Sequence, residues 1–211
     1  MDFFAAARKN KVIPIAVFNS VDEALRIGEI LLSGGITVLE VTLRTPEAIN
    51  CISALTHSLP ELTVGAGSVL SQEAVANAVE SGARFVVSPG IADGIAAAAK
   101  SRGLPFVPGV ATPTELMAAM ELSPVIKIFP ASFLGGPAYI NAISAPFASK
   151  TFGLIPTGGI DVGNCREYLS AQNVIACGMS HLLAASFSSE ERPRVIRRRI
   201  GELKAVIADL Q

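Results

Sequence analysis

The chain is short of the side chains that hold metals and disulfides. It has two histidines, His57 and His181, and three widely spaced cysteines, Cys51, Cys165 and Cys177. Catalytic zinc gathers two or three imidazoles in one place, and structural zinc gathers cysteine pairs. No C-x-x-C occurs, so neither a metal centre nor a disulfide framework is expected. No cofactor is expected either. Charge is also sparse, with charged residues at 17% and a formal net charge of −1. No sequence-wide field therefore draws nucleic acid or an anionic membrane. Apolar runs are broken by Gly, Pro or charge before the ~18 residues a membrane span needs. Met1 to Asn10 carries an acid at position 2 and no apolar signal core. The cytoplasm is the simplest compartment.

What the chain has is apolar residues, 50% of the total. That suits buried parallel strands and an oligomer interface. Strand and helix patterns alternate. A helix over residues 2–10 precedes a strand at Val12–Phe18. Ser20 and Glu23 read as a capping box, opening a helix that Gly34-Gly35 closes. Further strands are predicted at Ile36–Thr42, Leu62–Gly67, Phe85–Ser88, Phe106–Pro108, Val125–Ala131, Phe152–Thr157 and Val174–Cys177. Helices are predicted over 45–58, 71–81, 91–101, 112–122, 137–147 and 161–170, with a helical region from about Glu190. Eight strand–helix units in one apolar chain predict a single-domain (β/α)8 TIM barrel spanning residues 1–211, with an N-terminal helix and a C-terminal helical extension. A doubly wound sheet is the alternative. It commonly carries G-x-G-x-x-G after its first strand, where this chain has Phe18-Asn19-Ser20. The run Arg197-Arg198-Arg199 reads as the solvated face of the last helix rather than a nucleic-acid patch.

The organising stretch is Val125-Ile126-Lys127-Ile128-Phe129-Pro130-Ala131. Strand alternation puts Val125, Lys127 and Phe129 on one face, and both faces are apolar. An ammonium there must find a partner, reach a cavity or give up its proton. Snorkelling to water is the bland alternative. Phe129-Pro130 argues against it by carrying the strand past the lysine, and a deprotonated lysine can form a Schiff base with a carbonyl.

In a barrel the site lies at the C-terminal strand ends. Glu40 sits within an apolar strand, as an acid/base residue or as a structural partner of Lys127. Arg44 follows at the mouth, where it could grip a carboxylate or form a surface pair. Gly65-Ala66-Gly67-Ser68 offers backbone donors and a hydroxyl. Pro89, after the fourth strand, is a turn residue or pocket wall, and Phe129 shares the lysine's face. Thr157-Gly158-Gly159 and Gly178-Met179-Ser180 follow the last two strands, the usual phosphate position of barrels. A sugar-phosphate epimerase and a non-catalytic keto-acid or phosphate sensor remain open on these residues alone.

The motifs Glu40-Val41-Thr42-Leu43-Arg44-Thr45, Gly65-Ala66-Gly67-Ser68-Val69, Ser88-Pro89-Gly90, Lys127-Ile128-Phe129-Pro130-Ala131 and Pro156-Thr157-Gly158-Gly159-Ile160 together resemble 2-keto-3-deoxy-6-phosphogluconate (KDPG) aldolase / 4-hydroxy-2-oxoglutarate aldolase. The resemblance implies a homotrimeric, metal-independent class I aldolase of the Entner–Doudoroff pathway. It implies Lys127 as Schiff-base lysine, Glu40 as acid/base, and Arg44 with Ser68 on the pyruvoyl carboxylate. It places Thr157, Gly158, Gly159 and Ser180 around the distal hydroxyl and phosphate. Two departures stand out. Ser68 occupies a position commonly held by threonine. Val17-Phe18-Asn19 also lies where many members carry a base near the phosphate, so a weakened phosphate contact is expected, testable by Phe18→Arg.

Overall fold

The computed structural model of the chain describes residues 3–184 and 191–210. The expected helix starts at Asp2 and Glu190 lie outside the described residues. The order is α1 (Phe3–Asn10), β1 (Val12–Ala16), α2 (Val21–Ser33), β2 (Val38–Thr42), α3 (Ala48–Ser58), β3 (Thr63–Gly67), α4 (Gln72–Glu80), β4 (Val86–Val87) and α5 (Asp93–Ser101). Then come β5 (Phe106–Val107), β6 (Gly109–Val110), α6 (Pro113–Met120), β7 (Val125–Ile128), α7 (Gly136–Ser144), β8 (Gly153–Pro156), α8 (Cys165–Leu169), β9 (Cys177–Met179) and α9 (Arg192–Ile207).

The α/β class and the parallel pairing are as the sequence predicts, but the strands fall into two sheets. One runs β5-β4-β3-β2-β1-β9 and the other β6-β7-β8. Single bridges, Leu154 with Val174 and Thr157 with Gly178, link β8 to the segment that carries β9. Pro108, which has no N–H to donate, separates β5 from β6. The last strand is displaced from its expected place at Val174–Cys177. The register on β1 pairs Val12, Ile13 and Pro14 with Cys177, Gly178 and Met179. The β-branched pair Val174-Ile175 supplied the sequence signal, but partner geometry decides which residues pair. The helix expected over 161–170 begins only at Cys165. Asp161 Oδ1 first accepts from the N–H groups of Gly163 and Asn164, an Asx turn that competes with helix.

Two apolar clusters follow from strand alternation. Val12, Ala16 and Phe18 of the first strand segment, Leu39 and Val41 of β2, and Ile126 and Ile128 of β7 pack outward against the helices. The alternate residues Ile13, Val38, Val125 and Ile155 form an inner cluster with Phe85, Val87, Val107 and Ile175. Helix α1 completes it from one end with Phe3, Ala6 and Ala7. Phe3 stacks on Phe85 at 4.0 Å between ring centroids. Asn10 ties α1 down, donating to Thr37 Oγ1 at 3.0 Å and accepting from Thr37 N–H at 3.0 Å.

The starts of α2 and α6 are capped differently. Thr112 and Glu115 form the reciprocal pair at α6. At α2 the Ser20 hydroxyl accepts from Glu23 N–H, but the Glu23 carboxylate turns to Arg192 on α9. The basic run is also split. Arg197 and Arg198 are exposed, whereas Arg199 is buried and donates to the His181 carbonyl.

All three cysteines are free and buried. Burial raises each thiol above its ordinary value of 9.0, most strongly at Cys177. A raised acid stabilises the fold below its unfolded value, so stability is expected to fall as pH climbs past that range. Native protein at neutral pH is expected to leave all three unalkylated by iodoacetamide, with full labelling in denaturant. Rapid native labelling of any one, read by mass spectrometry, would contradict the buried placement.

Candidate active site

Register carries Glu40 and Lys127 to the inner face. Glu40 is paired with Ile15 on one side and Gly65 on the other. Lys127 is paired with Gly109 and Ile155. Val38 and Val125, two residues earlier on the same strands, belong to the inner cluster, so the Glu40 and Lys127 side chains lie one layer beyond it. Lys127 is 7% exposed and Glu40 4%. Lys127 Nζ lies 3.8 Å from Glu40 Oε1 and 5.3 Å from the centroid of the Phe129 ring. The Phe129–Pro130 peptide is cis. The lysine is thus neither a snorkelling residue nor alone: it has a carboxylate and an aromatic face.

Glycine makes room for this pair. A side chain at Gly67 would overlap the Glu40 carboxylate, and one at Gly65 would overlap the Phe85 ring. The sequence marks both glycines as backbone donors at a strand tip, and in the folded chain they also clear space. Ser68 next turns the chain with φ of 56°, a left-handed value rare outside glycine. Its hydroxyl accepts from Arg44 Nε at 3.0 Å. That contact occupies one edge of an exposed guanidinium at the mouth of β2.

The other predicted residues spread around the same rim. Pro89 is exposed, and its carbonyl lies where a side chain at Gly109 would sit. Thr157 is buried, bridges to Gly178, and directs its hydroxyl over that glycine. Gly158 and Gly159 take φ of 101° and 72°, and a side chain at Gly159 would overlap Ser132 Oγ. Gly159 and Ser180 line a cleft of about 470 Å³ with Ile15, Val17, His181 and Arg192.

One expectation is overturned here. Phe18 does not face this cleft: it is 0% exposed and packs in the outer cluster. Val17, 43% exposed, takes the cleft position. Strand parity is the reason, since Ile15 and Val17 share a face and Phe18 belongs to the other. Phe18→Arg would therefore put charge into the core. Sequence reasoning also missed Arg192. No local pattern ties it to Gly159 or Ser180, and the contact depends on where α9 packs.

Comparison with known proteins identifies the family. The family model described as KDPG and KHG aldolase matches residues 4–198. A 2-dehydro-3-deoxy-phosphogluconate aldolase of Treponema pallidum is 38% identical over 183 residues, covering 86% of each chain. A KHG/KDPG aldolase of Escherichia coli strain K12 is 39% identical over 175 residues, covering 82% of this chain and 81% of that one. Among solved structures, KDPG aldolase from Legionella pneumophila, with pyruvate captured as a covalent carbinolamine, superposes with a TM-score of 0.87 at 35% identity, covering 93% of this chain and 95% of that one. A match of this extent, in sequence and in fold, places the chain in the KDPG and KHG aldolase family.

Proposed function

We propose that the chain is a class I aldolase. It cleaves 2-keto-3-deoxy-6-phosphogluconate to pyruvate and glyceraldehyde 3-phosphate, and also 4-hydroxy-2-oxoglutarate to pyruvate and glyoxylate. The observation that carries this reading is Lys127 Nζ at 3.8 Å from Glu40 Oε1, both in an apolar interior. Once its proton has gone to solvent, the amine there attacks the C2 ketone, and Glu40 stays ionised for the next step. Loss of water gives an iminium, an electron sink for the C3–C4 bond. Glu40, through a water, takes the C4 hydroxyl proton as that bond breaks. The aldehyde leaves, Glu40 returns a proton to C3 of the enamine, and hydrolysis frees pyruvate and Lys127.

The remaining residues bind. Arg44, held by Ser68, takes the C1 carboxylate with its free guanidinium edge. Phe129 and Pro89 wall the pyruvoyl part. Thr157, Gly158, Gly159 and Ser180 receive the distal hydroxyl and phosphate.

The chain reads as one domain and a closed eight-stranded barrel, with β5 and β6 counted as one strand interrupted by Pro108. The bridges from β8 to the β9 segment and the ring of inward residues support closure. The reading further makes the protein a cytoplasmic homotrimer. Exposed Leu70, Met117 and Phe133 offer apolar surface for assembly.

Borohydride reduction in the presence of pyruvate is the test of the reaction class. A pyruvate-derived adduct on Lys127 is expected by peptide mass spectrometry. Label elsewhere, or none, would exclude the Schiff base.

A further inference from the structure

We propose that Arg192, on the first turn of α9, supplies the positive charge that binds the distal anionic group of the substrate, with Glu23 as its competitor. This rests on the aldolase reading above and deepens it. The cleft is lined by Gly159, Ser180 and His181, and by Asp161, whose Oδ1 already accepts from the Gly163 and Asn164 N–H groups. The first strand contributes only the methyl groups of Ile15 and Val17. Arg192 is the cleft's guanidinium. It is 8% exposed, yet its Nε has no hydrogen-bond partner among the described residues. Its Nη2 donates to the Leu183 carbonyl at 2.8 Å, fixing the turn after β9. Its Nη1 pairs with Glu23 Oε1. Burial lowers the Arg192 pKa from its ordinary value, a direction that marks desolvation of the charge.

A buried guanidinium with an unsatisfied N–H is costly unless a partner completes it. A phosphate dianion in the cleft is such a partner, offering a charge-assisted contact. Glu23 also lines a second cleft, with Arg26 and Arg192, so Arg192 forms the partition between the two spaces. Phosphate binding draws the guanidinium away from Glu23, and the carboxylate retains Arg26 and solvent beside it.

The test compares kcat/KM for the phosphorylated C6 substrate with that for unphosphorylated 4-hydroxy-2-oxoglutarate. Arg192→Met is expected to lower this ratio by about ten- to a hundredfold, the size of a lost charge-assisted contact. Glu23→Gln removes the competitor and is expected to raise it. The N-cap contact at α2 uses the Glu23 backbone N–H, so it survives this change. Arg192→Lys keeps the charge and is expected to recover part of the ratio. Pyruvate–borohydride labelling of Lys127 is followed in each variant. An unchanged ratio with Lys127 still labelled overturns the role of Arg192 and leaves the aldolase reading intact. Loss of label in both Arg192 variants marks the residue as a fold support and also overturns it. Absence of label in the unsubstituted protein defeats the aldolase reading instead.

Discussion

Replacing Lys127 by methionine is expected to abolish turnover, by about 10⁴-fold or more, the scale on which removal of a covalent nucleophile acts. Methionine fills much of the lysine's volume, so the inner face of β7 stays packed. The amine is gone, and no iminium can form. The same change leaves Glu40, 4% exposed, without the cation at 3.8 Å. Stranding one member of a buried pair costs about 3–5 kcal/mol. At about 2–4 °C per kcal/mol for a chain of this size, Tm should fall by roughly 6–20 °C. Adding Glu40→Gln neutralises the stranded carboxyl. The double variant is expected to regain much of the stability while remaining inactive. Retained turnover in Lys127→Met would exclude Lys127 as nucleophile. A double variant no more stable than the single one would show that the pair contributes nothing to folding.

The second large effect is on Glu40. Glu40→Gln is expected to form the pyruvate adduct yet turn over at least about 100-fold more slowly, because the amide keeps the shape and loses the proton transfer. Gly67→Ala gives an independent approach that leaves both reacting side chains unaltered. Its added methyl must displace the Glu40 carboxylate, which lies where a Cβ would be. A comparable loss of turnover is expected, with adduct formation again retained. Near-normal rates in Glu40→Gln would make the carboxylate only a structural partner. Near-normal rates in Gly67→Ala would mean its position is not critical.

The alternation of strand residues made the central pair readable from sequence. Lys127 and Glu40 each break an apolar run, and a charge inside such a run has few physical explanations. Arg44, Ser68 and the glycine turns after β8 were readable as strand-end positions. The errors have one cause, which is that local pattern does not fix partner geometry. The stretch Val17-Phe18-Asn19 points to the cleft, but parity gives the facing position to Val17 and not to Phe18. The last strand was assigned to its β-branched residues, whereas pairing with β1 selects Cys177–Met179. Pro108 was placed at a strand end, and its missing N–H divides the strand instead. Glu23 looked like half of a capping box, but a guanidinium far along the chain holds its carboxylate. Each of these depends on a residue distant in sequence, beyond the reach of any window.

Helix α1 carries a consequence for the order of events during synthesis. The inner cluster it joins also holds Ile13, Val38, Phe85, Val107, Val125, Ile155 and Ala176, which are spread over most of the chain. Helix α1 is therefore made before most of the residues it packs with, and it docks late. Until Ala176 has been made, the cluster that Phe3 joins is incomplete. The nascent chain must carry its own stopper in hand, and the moment of docking marks the completion of the strands it covers.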